Sequence, residues 1–350
     1  MPGSASWWRR TSRMDRTPPR PTTSSCIRWW RRPRAPWGRR KIRRRCPTPS
    51  PPTATPLPAA DPAMDGVSRS LLLRQAGIGV SPGHVRASAA SARIALLDGG
   101  ADLAHPALAG ERIVASAGAA PGRAGAHATF CVSLLVGSDA AAREGRVLAL
   151  CAGATIFNFA VIDDAMLEGR ASIAATADAL ARALRQAVDA GCRTIVFSSE
   201  LLQADSPQWR SLRDAVQWAR AQGAIVVVPA GNHGAGWGQV PCPWPGILVV
   251  GSIGPSGNIS AFSAHARRLP NVVYAPGELV PGAAAGHGYE LRSGTSFAAV
   301  LAAGALELLR VTRPADAWPD LVATLFRPPW RCLDASVLFP PTCLAQEIPI

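Results

Sequence analysis

The chain has 350 residues, 48% of them apolar, enough to bury one large core or two small ones, and a formal net charge of +14. Residues 1–63 hold 15 Lys and Arg against Asp15 and Asp61, so the remainder is close to neutral and offers no basic face for nucleic acid. Eight cysteines occur without a Cys-x-x-Cys pair, which excludes zinc-ribbon and thioredoxin-type readings.

Residues 1–67 read as a disordered, basic, Pro/Arg/Trp-rich extension, with clusters such as Trp7-Trp8-Arg9-Arg10 and Trp29-Trp30-Arg31-Arg32. An upstream reading of the gene, with the true start near Met64, accounts for such a segment; a basic-aromatic arm for nucleic acid or an anionic membrane is the alternative. Neither the first residues nor those after Met64 carry a charged-then-apolar leader, and no run approaches 18 uninterrupted apolar residues. The expectation is therefore no membrane span and, by default, a cytoplasmic, reducing location. Residues 68–339 form one expected domain and 340–350 a tail.

Within that domain, apolar runs and helical periodicity alternate. Arg93–Leu97 reads as a buried strand ending at Asp98-Gly99-Gly100, and Thr129–Val136 as the start of a buried helix. Arg146–Leu150 and Thr155–Ile162 read as strands, and Ser172–Ala190 as an amphipathic helix stopped by Gly191. A strand over Thr194–Ser198, a helix over Ser206–Gln222 stopped by Gly223, and strands over Ala224–Val228, Ile247–Ile253 and Val272–Tyr274 follow. A helix over Phe297–Arg310 comes last. Such alternation predicts an α/β fold, a central parallel sheet flanked by helices on both faces. Ligands of such sheets sit beyond the carboxyl ends of the strands, which directs attention to Asp98, Ser198, Asn232 and, at the head of the last long helix, Ser296.

A serine at a helix start is a cap or a nucleophile; the second role needs a base, an orienting acid and donors for an oxyanion. The segments Ile94-Ala95-Leu96-Leu97-Asp98-Gly99-Gly100 with His105-Pro106, Val226-Val227-Val228-Pro229-Ala230-Gly231-Asn232 and Gly294-Thr295-Ser296-Phe297-Ala298-Ala299 resemble, in order and context, the subtilisin-like serine peptidases, the S8 family. Val249-Val250-Gly251-Ser252, Phe262-Ser263, Ala275-Pro276-Gly277 and Leu333-Asp334-Ala335 extend the resemblance over about residues 90–339. It implies a subtilisin-like fold, Ser296 as nucleophile, Asp98 as the acid and Asn232 as the oxyanion donor. The family's histidine motif, His-Gly-Thr-His at the head of a buried helix, aligns with His127-Ala128-Thr129-Phe130. Read with its second histidine as the base, the motif puts Phe130 in that position, and a phenyl ring takes no proton.

That reading predicts a pseudoprotease or a severely impaired peptidase with a degenerate triad, retaining a peptide-binding or scaffolding role toward a peptide or protein ligand. The alternative is an active serine endopeptidase that uses His127 as base, with His105, His233, His265 and His287 ranked below it. Ser198, Ser199 and Glu200 stand where the family's substrate strand ends in glycines, so side chains narrow the specificity pocket. The acidic residue expected after His-Pro is Ala107, so neither a calcium site nor any other metal or cofactor is expected.

Overall fold

The computed structural model describes residues 55–56, 89–116, 122–167, 173–199, 206–234, 244–264, 271–327 and 332–333. The chain divides into two units, Met1–Thr53 and Ala54–Ile350, the first of which lies outside the described residues, as do the expected tail and Glu200.

Among the described residues nine strands form the main sheet: β2 Arg93–Asp98, β3 Arg112–Ala115, β4 Thr155–Ala160, β5 Thr194–Phe197, β6 Ile225–Pro229, β7 Ile247–Ile253, β8 Val272–Pro276, β11 Phe326–Arg327 and β12 Cys332–Leu333. Their order is β11-β12-β8-β7-β6-β5-β2-β4-β3, and every pairing is parallel except β11 with β12. A smaller sheet joins β1 Thr55–Pro56, β10 Tyr289–Arg292 and β9 Val280–Ala283, all antiparallel. The helices are α1 Gly122–Leu135, α2 Asp139–Arg143, α3 Asp164–Leu167, α4 Ile173–Asp189, α5 Arg210–Ala221, α6 Thr295–Thr312 and α7 Trp318–Leu325.

Successive side chains of a strand point to opposite faces. Ile94 and Leu96 of β2 join the core layer that includes Phe130, Leu134 and Leu306, under α1 and α6. Ala95 and Leu97 join the opposite layer with Leu184 and Leu212, under α4 and α5. The next residue in the alternation, Asp98, continues the Ile94–Leu96 series. A carboxylate is thereby delivered to the face that α1 and α6 cover.

Gly191 and Gly223 stop α4 and α5 at φ +86° and +74°, as their positions in the sequence predict. Two expectations change. Residues 146–150 are not a strand: the amides of Ala149, Leu150 and Cys151 donate to the carbonyls of Ser133, Leu134 and Leu135, so this apolar stretch satisfies the open end of α1. Thr55–Pro56, inside the extension expected to be disordered, pairs with Leu291 and Glu290 because the outer edge of β10 offers unpaired backbone groups. Among the described residues one helix, α6, is long and apolar enough to cross a membrane, and 78% of that stretch is buried inside the fold.

At the end of the sheet where the strands begin, α6 brings in a carboxylate. Glu307 is fully buried and accepts from the Arg93 amide (3.0 Å), the Thr194 hydroxyl (2.7 Å) and Arg310 through two bonds of 2.7 Å.

Candidate active site

Asp98 ends β2 with its side chain 2% exposed. Its Oδ1 accepts from the Gly99 amide at 2.7 Å. Gly99 is required by close approach: a Cβ there would lie 2.3 Å from the Ala124 carbonyl oxygen of α1. The loop that follows is stapled by Asn158, whose Oδ1 accepts from Ala101 and whose Nδ2 donates to the Gly99 carbonyl. Thr129 completes the fixture, accepting from the Asp102 amide at 2.9 Å while donating to the Gly125 carbonyl at 2.8 Å.

His127, on the first turns of α1, meets that carboxylate. Its Nδ1 lies 2.9 Å from Asp98 Oδ2 and 3.2 Å from Oδ1, and its side chain is 26% exposed. It is His127, not Phe130, whose ring meets the Asp98 carboxylate. One helical turn further on, Phe130 is fully buried, its ring against Phe297 with centroids 4.6 Å apart and under the Arg292 guanidinium, and its edge fills the space a side chain on Gly282 would need. The first histidine position of the motif faces the acid, and the second is core.

Ser296 lies in the first turn of α6, whose N-cap is Gly294 without a side-chain cap. Its hydroxyl caps nothing and donates instead to the Ser198 carbonyl at the end of β5, at 2.7 Å. The neighbouring Phe297 stacks on the His127 ring, centroids 5.5 Å apart, so α6 sets the serine and one wall of the imidazole together.

Asn232 follows β6. Its Oδ1 accepts from both the amide (2.9 Å) and the hydroxyl (3.1 Å) of Thr295, and the Thr295 Oγ1 in turn accepts from Gly231. Because a backbone N–H can bond only the oxygen of that amide, the orientation is fixed and Nδ2 is turned toward Gly294. Thr295, Asn158 and Thr129 escaped the sequence reading. A hydroxyl or amide that acts by holding another residue carries no chemistry of its own for a motif to advertise.

Ser198 is buried, its own hydroxyl donating to the Leu97 carbonyl, so its backbone rather than its side chain meets the site; Ser199 is half-buried. Of the remaining histidines, His105, His233 and His287 are among the described residues. His105 is buried with both ring nitrogens engaged, Nδ1 accepting from Ala107 (3.0 Å) and Nε2 donating to Gly288 (2.9 Å). His287 lies 3.6 Å from Asp102, His233 is exposed, and His265 is outside the described residues.

Burial holds the His105 pKa below its usual value, with His287 adding repulsion and the Gly288 carbonyl and Asp102 opposing; the ring edge of Tyr289 packs on the imidazole. Between that depressed value and 6.5 the unfolded chain binds the extra proton, so stability is full above about pH 6.5 and falls on acidification. His105→Asn, which keeps an acceptor for Ala107, should flatten this part of the pH dependence of the thermal midpoint; an unchanged slope would show that other groups set it.

The profile of the subtilase family matches residues 90–327. The chain belongs to the subtilase family. It is 27% identical over 227 residues to thermitase of Thermoactinomyces vulgaris, covering 64% of this chain and 76% of thermitase. It is 29% identical over 288 residues to mycosin-1 of Mycobacterium tuberculosis (strain ATCC 25618 / H37Rv), covering 70% and 64%. Alkaline elastase YaB of Bacillus sp. (strain YaB) matches at 33% over 104 residues, 30% of this chain and 27% of the elastase. Among solved structures, the self-cleaved protease domain of PatA superposes with a TM-score of 0.55 at 30% identity, covering 67% of this chain and 86% of that one. The PatG macrocyclase in complex with peptide, at 19% identity and a TM-score of 0.57, covers 74% of this chain and 95% of that one and shares the fold.

Proposed function

We propose that this chain is a serine endopeptidase in which Ser296 is the nucleophile, His127 the general base, Asp98 its orienting acid and Asn232 an oxyanion donor. The observation that carries the reading is the His127–Asp98 bond: a buried carboxylate fixed to Nδ1 leaves the other ring nitrogen, Nε2, to take the serine proton. The Ser296 hydroxyl rests on the Ser198 carbonyl, and a rotation about its Cα–Cβ bond redirects it; such bonds are commonly completed only when substrate arrives. Attack on a peptide carbonyl moves the hydroxyl proton to His127 and negative charge to the carbonyl oxygen, which Asn232 Nδ2 stabilises; His127 then protonates the departing amine.

A peptide is the substrate class supported by the likeness to the PatA protease domain, described as self-cleaved, and to the PatG macrocyclase bound to peptide. Peptide binding without turnover is the second reading, favoured by the Ser296–Ser198 bond and by serines where glycines would open the pocket. A fluorophosphonate probe separates the two. Labelling of the wild type but not of Ser296→Ala is expected, and an unlabelled wild type that still binds peptide would establish the second reading. In the active case Asn232→Ala lowers kcat about 10²–10³-fold, the range known for the equivalent donor in subtilisin.

A further inference from the structure

One short stretch following β4 holds both Asp98 and the helix that carries His127. The Asp98 carbonyl accepts from the amides of Val161 (2.9 Å) and Ile162 (3.0 Å). Two residues on, in the first turn of α3, the half-buried Asp164 reaches across to α1. Its Oδ1 accepts from the Ala124 amide at 2.8 Å and its Oδ2 from the Arg123 amide at 3.3 Å. The opening amides of a helix have no partner within it, and a carboxylate there also meets the positive end of the helix dipole. Gly122 makes the approach possible: its φ is +83°, and a Cβ on it would collide with Asp164 Oδ2. The adjacent Asp163 is engaged otherwise, its Oδ1 accepting from the Met166 amide within α3.

The turn so held is the one on which His127 rests. In α-helical geometry the His127 amide pairs with the carbonyl of Arg123, the residue whose own amide Asp164 binds. On its other side, the Ala124 carbonyl lies against Gly99, next to the acid. With Asp164 removed, two opening amides of α1 lose their acceptor and the first turn frays, so the imidazole loses its fixed level relative to Asp98.

We infer that Asp164 is a positioning residue: it binds the start of α1 while its own segment binds the Asp98 carbonyl, and so sets the level at which His127 meets Asp98. It acts through His127 rather than on the reacting atoms. Its effect on turnover rests on the proposed peptidase reading; its effect on the His127–Asp98 bond does not. Misplacing a catalytic group by about 1 Å costs up to about 10²-fold in rate, which sets the scale of the expected loss.

The full chain is compared with Asp164→Ala and with Asp164→Asn, which keeps an oxygen for the Ala124 amide. kcat per titrated active site and KM are measured on a peptide substrate. The bond itself is followed in the Ser296→Ala background through the downfield proton resonance of His127 Nδ1–H, assigned by its loss in His127→Ala. Asp164→Ala should lower kcat about 10–100-fold, change KM less than about twofold, and broaden or abolish the resonance. Asp164→Asn should stay within about fivefold in kcat and keep the resonance. A stability defect alone would lower the titrated active fraction and leave kcat per site in place. If the resonance depends on Asp164 in this way and no peptide is cleaved even by the wild type, the placement of His127 by Asp164 stands and the peptidase reading falls. A resonance and a kcat per site indifferent to Asp164→Ala, or equal losses in the Ala and Asn variants, would overturn the inference.

Discussion

His127→Ala is expected to lower kcat by about 10⁶, the loss known for the subtilisin histidine, with little change in KM. In the proposed mechanism the residue supplies a proton acceptor and contributes little to peptide binding, so the effect belongs in turnover. Its counterpart is Phe130→His. If Phe130 occupied the base position, that substitution would confer or raise activity. Since the ring is packed against Phe297, Gly282 and Arg292, the variant instead buries an imidazole between an aromatic ring and a guanidinium, gives no gain in turnover, and lowers stability by about 2–4 kcal/mol. Active-site titration and chemical denaturation of both variants check the pair. A gain of peptidase activity in Phe130→His would return the base to that position.

Removing the buried carboxylate of Glu307 is expected to destabilise the domain by about 3–5 kcal/mol. Glu307→Ala strands the Arg93 amide and the Thr194 hydroxyl and leaves Arg310 without its bidentate partner. Glu307→Gln, which keeps the shape and one oxygen acceptor, should cost less. The site lies eleven residues along α6 from Ser296, about 16 Å at helical rise, so kcat of the folded fraction should be unchanged. Denaturation midpoints together with burst titration separate these quantities; a proportional fall in kcat would mean that this network positions the serine as well.

The strands β2, β5, β6 and β7 were legible because a parallel strand covered on both faces is an unbroken apolar run bounded by turn residues. β9 was not, since Val280-Pro281-Gly282-Ala283 has none of the β-branched continuity that marks a strand, and its place is set by Phe130 pressing on Gly282. Residues 146–150 misled for the opposite reason: their apolar side chains are buried, but their amides serve the end of a helix. At the site, Asp98, Asn232 and Ser296 follow strands or open a helix and carry local signatures. Which of His127 and Phe130 meets Asp98 is not legible in the sequence because positions i and i+3 share a helix face, and only the level at which β2 delivers Asp98 separates them.

Helix α6 packs against β2, β5, β6, β7 and β8, every one of which precedes it in the chain. Made from the N-terminus onward, those strands lack the cover that α6 gives them until residue 312 has emerged, and Ser296 arrives on the cover itself. In the proposed mechanism the acid Asp98, the base His127 and the oxyanion amide Asn232 are all made before the serine, Asn232 being the last of the three. On that reading hydrolysis begins only at the step that seals the core.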